Sequence, residues 1–146
     1  MNAKKLFLAQ SDTTVGFLSQ SPKKLSDAKK RDPNQPFLIC VDSYKKLKKL
    51  TRVPKTHKKL IRRVEKKSFL YLNKRAIRVV KEPHHSSFLK KFDFLYSTSA
   101  NINKKKFDLD YAKSSAEIIV EDSRAFYESN SSQIFKLGKK KIHKLR

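Results

Sequence analysis

Acidic residues are scarce in this chain of 146: thirteen aspartates and glutamates stand against 36 lysines and arginines, a net charge of +23. So large a surplus costs self-repulsion and points to a polyanionic partner. Cysteine is nearly absent. The single Cys40 excludes an internal disulfide, and its place midway along an apolar run makes it a small buried hydrophobe rather than a nucleophile. No apolar run approaches the roughly 18 residues needed to cross a bilayer. Lys4-Lys5 precedes only Leu6 to Ala9 before polar residues return, too short for a signal peptide. A cytoplasmic protein is the expectation. Two glycines and five prolines fit a compact alternation of strands and helices, and no Walker-type loop, H-E-x-x-H or G-x-S-x-G occurs. His84-His85 has no further spaced ligands, so no metal site is expected there, only a loop.

What is present is a set of short strand-like runs: Leu6 to Ala9, Pro36 to Val41, Ser68 to Leu72, Ala76 to Val80, Glu117 to Val120 and Ile134 to Leu137. Helix signals alternate with them. Ser21-Pro22 and Ser43 read as helix starts, Pro54 opens a further helix, a helix is expected from Ser86 to Phe92, and Asp108 caps one towards Ser115. Asn73-Lys74 reads as a hairpin turn. The expected architecture is an α+β (α/β layered) fold, one domain over 1–146, with a twisted mixed β-sheet flanked by helices. Between Tyr44 and Ser68, twelve lysines and arginines accompany one carboxylate, Glu65. Lys45 to Lys67 is therefore a candidate RNA-binding stretch, with solvated basic helices as the plainer alternative.

The first strand runs into Gln10-Ser11-Asp12-Thr13-Thr14-Val15-Gly16-Phe17, a turn dense in hydroxyls, with a glycine free to take positive φ. Further along stand Lys29-Lys30-Arg31 and Ser97-Thr98-Ser99-Ala100-Asn101. In this order the segments resemble the T-[DE]-T-x-x-G, K-x-R and S-x-N signatures of the YrdC-like threonylcarbamoyl-AMP synthase family. Ala76-Ile77-Arg78-Val79-Val80 is similar to its V-x-V-R-x-P strand, and Ser131-Ser132-Gln133-Ile134 to its late S-[TE]-I turn. The family's P-G-P-x-T loop has no counterpart: Val64 to Ser68 stands there, with only Ser68 to replace the threonine. Gln10 and Ser11 replace the usual Pro and Thr, Asn103-Lys104 replaces Ser-Gly, and no R-x-G follows Arg146.

The resemblance implies a YrdC-like fold and a nucleotidyltransferase. It would make threonylcarbamoyl-adenylate from L-threonine, bicarbonate and ATP, with Mg²⁺ on the triphosphate, and hand it to protein partners that modify tRNA. On that resemblance Lys29 and Arg31 act on the phosphates, and Ser99, Asn101 and Ser132 hold ATP. Ser11, Thr13 and Arg78 would hold threonine. The other reading is a non-catalytic module of the same fold that binds double-stranded RNA, tRNA or the ribosome through its lysines.

Overall fold

The computed structural model describes residues Met1–Arg146. It is a mixed β-sheet protein with flanking helices, as expected, and its chain divides into two compact units.

The first unit comprises Met1–Phe37 and Leu95–Ser131. Strands β1 (Phe7–Gln10) and β2 (Val15–Ser19) pair antiparallel, with Gln10 opposite Val15. Helix α1 (Pro22–Lys29) follows. Ser21 caps it by accepting from Lys24 N–H, and Pro22 occupies the first turn, where its missing donor costs nothing. The remaining elements come from the far end of the chain. They are β6 (Leu95–Ser99), α5 (Leu109–Ser115) and the two-residue β7 (Ile118–Ile119), a shorter strand than the expected Glu117 to Val120. The spatial order is β7-β1-β2-β6, with β7 parallel to β1 and β6 antiparallel to β2. Leu8, Val15, Phe17, Leu25, Phe37 and Ala112 form its core. Each of the leucine, valine and phenylalanine side chains removed from water contributes about 1.5–3 kcal/mol before entropy is counted.

Gly16 corrects an expectation. No glycine in the protein has positive φ, and Gly16 lies inside β2 rather than in a turn. A Cβ there would come within 3.1 Å of the Thr98 carbonyl oxygen on the neighbouring strand. The residue is small because two backbones approach closely. The left-handed positions fall instead on Lys30, Lys66, Lys74 and Lys104.

The second unit comprises Leu38–Phe94 and Ser132–Arg146. Its strands in chain order are β3 (Leu38–Val41), β4 (Lys67–Leu70), β5 (Ala76–Val79), β8 (Gln133–Leu137) and β9 (Ile142–Lys144), the last unforeseen. In space they run β3-β5-β4-β8-β9, with parallel β3–β5 and β4–β8 pairs. Ser43 caps α2 (Tyr44–Leu50) as expected. Pro54 opens not an α-helix but a 3-10 turn, Lys55–His57, ahead of α3 (Lys58–Arg63). Helix α4 (Pro83–Leu89) starts three residues before the expected Ser86. The cause is Glu82, whose carboxylate accepts from His84 N–H at 3.0 Å and His85 N–H at 2.7 Å. Hence His84 and His85 belong to a helix and not to a loop. Cys40, which forms no disulfide, is fully buried on β3. No helix is long and apolar enough to cross a membrane.

Candidate functional site

Helix α1 and strand β6 bring the Lys29 segment to the Ser99–Asn101 segment within the first unit. The left-handed Lys30 ends the helix, its N–H reaching back to Ser26 and Asp27 carbonyls, and Tyr111 Oη donates to Ala28 O at 2.6 Å. Asn103 N–H donates to Lys29 O at 2.7 Å, tying the segment after β6 to the helix end. With its backbone fixed, the Lys29 side chain, 4% exposed, donates to Ser99 O at 3.2 Å, Ser99 Oγ at 3.2 Å and Asn101 Oδ1 at 2.9 Å. Ser99 Oγ donates to the same Asn101 oxygen at 2.6 Å. Asn101 Nδ2 in turn donates to Ile102 O and Lys105 O, which fixes the orientation of the amide.

All three acceptors around Lys29 are neutral oxygens, and no carboxylate lies within ion-pair distance. Burial, reinforced by the nearby Arg31 charge, lowers the Lys29 ammonium to about 8. Arg31 lies over the Phe37 ring at 4.0 Å and donates through Nη2 to Pro36 O at 2.9 Å. Its Nε is buried without a hydrogen-bond partner, and burial lowers its pKa as well. Two neighbouring cations, partly desolvated and without counter-charge, favour an anionic ligand.

The β1–β2 connection is internally bonded. Ser11 Oγ accepts from Thr13 N–H at 3.0 Å and Thr14 N–H at 3.1 Å, and spends its own proton on Thr14 O at 2.6 Å. Thr13 Oγ1 lies 3.2 Å from Ser11 Oγ and is only half-buried. Of the two, Thr13 is the hydroxyl with capacity left for a ligand. Neither bonds to Lys29, Ser99 or Asn101. Arg124, which carries no local sequence signal, donates to Ser11 O at 3.1 Å and Gln10 O at 2.9 Å, holding the connection from outside.

Arg78 and Ser132 meet in the second unit. Buried on β5, Arg78 donates through Nη1 to Ser132 Oγ at 3.0 Å and Ser68 Oγ at 3.4 Å, and the two serine oxygens lie 2.7 Å apart. Sequence reasoning missed Arg146 here. Its guanidinium donates twice to Ser132 O, at 3.1 and 3.0 Å, and burial together with the Arg78 charge lowers its pKa. Its only sequence signal was one more cation in a basic tail. No group of three or more His, Cys, Asp or Glu side chains comes together as a metal cage.

The family profile for Sua5, YciO and YrdC, described as telomere recombination, matches residues 14–146. The chain belongs to this family. Among solved structures, it is similar to the protein MTH1692 of Methanobacterium thermoautotrophicum, with TM-score 0.70 and 17% identity over 98% of this chain and 80% of that one. It is also similar to P. abyssi Sua5 solved with L-threonine, with TM-score 0.79 and 18% identity over 98% of this chain and 50% of that one. Full-length HypF in its phosphate- and nucleotide-bound form aligns with TM-score 0.78 at 14% identity, over 98% of this chain and 27% of that one. The chain thus spans about half the length of Sua5. No curated protein sequence matches it.

Proposed function

We propose that this member of the Sua5/YciO/YrdC family is a threonylcarbamoyl-AMP synthase. The observation that carries the reading is the buried Lys29 ammonium, held by Ser99 and Asn101 beside Arg31 with no carboxylate to neutralise it. A phosphate oxygen is a stronger acceptor than the neutral oxygens Lys29 now holds. Binding the triphosphate there would restore the charge balance that burial has upset. Ser99 and Asn101 keep Lys29 aimed, and the free Arg31 Nε offers a second donor.

In the reaction, the threonine amine and bicarbonate condense to a carbamate with loss of water. A carbamate oxygen then forms a bond to the α-phosphorus of ATP, and the bond to the β-phosphate oxygen breaks, releasing pyrophosphate. No covalent intermediate with the protein is needed, so positioning and charge stabilisation supply the rate. Lys29 and Arg31 would bear on the charge that grows on the departing pyrophosphate. Thr13 would seat threonine within the first unit, and Arg78 with Ser132 forms an anion site within the second. The P. abyssi Sua5 relative is known in complex with L-threonine, which supports that substrate class. Mg²⁺, when bound, would screen the triphosphate using phosphate oxygens as ligands.

Titration calorimetry with ATP tests the pocket. Lys29→Met should bind at least about tenfold more weakly than the wild type, roughly 1.4 kcal/mol. Equal affinities would remove Lys29 from the nucleotide site.

A further inference from the structure

The second unit carries a groove unrelated to the Lys29 cluster. It has a volume of about 580 Å³, opens along the end of α2, the 3-10 turn and the start of α3, and is lined by Tyr44, Lys48, Lys49, Arg52, Lys55 and Lys58. Lys48, Lys49, Arg52, Lys55 and Lys58 are all exposed, and none has a carboxylate within ion-pair distance. The charge does not stop at the rim. Lys59, Arg62, Arg63, Lys66 and Lys67 continue it along α3 and into β4, with Glu65 as the one acid. A compact anion would satisfy only part of such a stripe, so the ligand must be extended and multiply charged.

The groove's aromatic ring narrows the choice. Lys48 Nζ lies 5.4 Å from the Tyr44 ring centroid and the Arg62 guanidinium 4.6 Å from it. Cations therefore cover Tyr44, which is not offered for base stacking. Its hydroxyl is buried without a partner and so gives no base-reading group at the surface. What remains is a row of mobile point charges, suited to phosphates and indifferent to sequence. A protein partner would more often meet an exposed aromatic or aliphatic anchor, and the aliphatic members of the lining, half-buried Leu50 and buried Val53, offer little of one.

We propose that this groove binds the phosphodiester backbone of a nucleic acid strand without reading its bases. The inference is independent of the synthase reading, because it uses no residue of the nucleotide site. It is tested by fluorescence anisotropy of a labelled single-stranded RNA, a DNA of the same sequence and poly-glutamate, titrated across salt concentrations. Each phosphate contact contributes about 0.7 to the slope of log affinity against log salt on a single strand. Replacing Lys48, Lys49, Arg52, Lys55 and Lys58 together with alanine should lower that slope by about 3.5. A control with the same charge loss elsewhere, alanine at Lys90, Lys91, Lys105, Lys106 and Lys113, should change it by less than about 1.

Circular dichroism checks that both variants fold. Should the fivefold variant not fold, the pair Lys48→Ala and Lys55→Ala should still lower the slope by about 1.4. RNA and DNA should bind alike, within about tenfold, and poly-glutamate far more weakly. Equal losses in the groove and control variants would overturn the proposal. So would poly-glutamate binding that matches RNA, or negligible nucleic-acid affinity at about 50 mM salt.

Discussion

Asn101 Oδ1 accepts from two directions at once, from Lys29 Nζ at 2.9 Å and from Ser99 Oγ at 2.6 Å. One amide oxygen thus joins the end of α1 to the end of β6 and sets the position of the one buried lysine of the first unit. The proposed nucleotide site depends on that junction.

Lys29 makes the account sensitive to pH. Its folded-state pKa near 8 lies below the ordinary 10.5, so between these values the unfolded chain holds the extra proton and stability rises with pH. Anion binding runs the opposite way, because only the ammonium attracts phosphate. ATP affinity should fall as pH rises through about 8, and Lys29→Arg, charged throughout, should flatten the profile. Calorimetric titrations at several pH values check both curves.

Gly16 sits between β1 and β6 in an inner strand. The Cβ of Gly16→Ala would meet Thr98 O at 3.1 Å, and neither neighbouring strand can retreat without breaking its own pairing. A loss of about 1–2 kcal/mol is expected in chemical denaturation, outweighing the entropy gained in the unfolded chain.

Ser132→Ala removes the 3.0 Å bond from buried Arg78 and the 2.7 Å contact with Ser68, leaving a desolvated guanidinium with one hydroxyl fewer. The cost should be about 1–3 kcal/mol. In thermal unfolding each kcal/mol is worth about 2–4 °C for a chain of this size. Arg146 binds the Ser132 backbone carbonyl and should keep its place.

Lys74 holds φ 67° in the turn between β4 and β5, a conformation that costs a side chain about 1–2 kcal/mol. Lys74→Gly should raise the melting temperature, with a net gain of about 0.5–1 kcal/mol after the greater freedom of an unfolded glycine.

These positions also show what could be read in advance. Ser21-Pro22, Ser43 and Asp108 announce their helices because a cap acts on backbone donors two or three residues away. Glu82 escaped notice because serine, not glutamate, is the usual cap. Glycine serves two needs, positive φ and close approach, and at Gly16 only the strand pairing decides between them. Left-handed lysines leave no local trace at all. The meeting of Lys29 with Ser99 and Asn101 spans some 70 residues, beyond any local pattern, and became visible only through the resemblance of ordered segments. Arg146 was hidden by its own setting, one cation among many in a basic tail.

The most direct test of the synthase reading is incorporation of isotopically labelled bicarbonate into a nucleotide product, followed by chromatography. The account predicts labelled threonylcarbamoyl-AMP, with equimolar pyrophosphate, only when ATP and L-threonine are both present, and its loss in Lys29→Met. Folded wild-type protein that binds ATP yet forms no labelled adenylate under these conditions would contradict it.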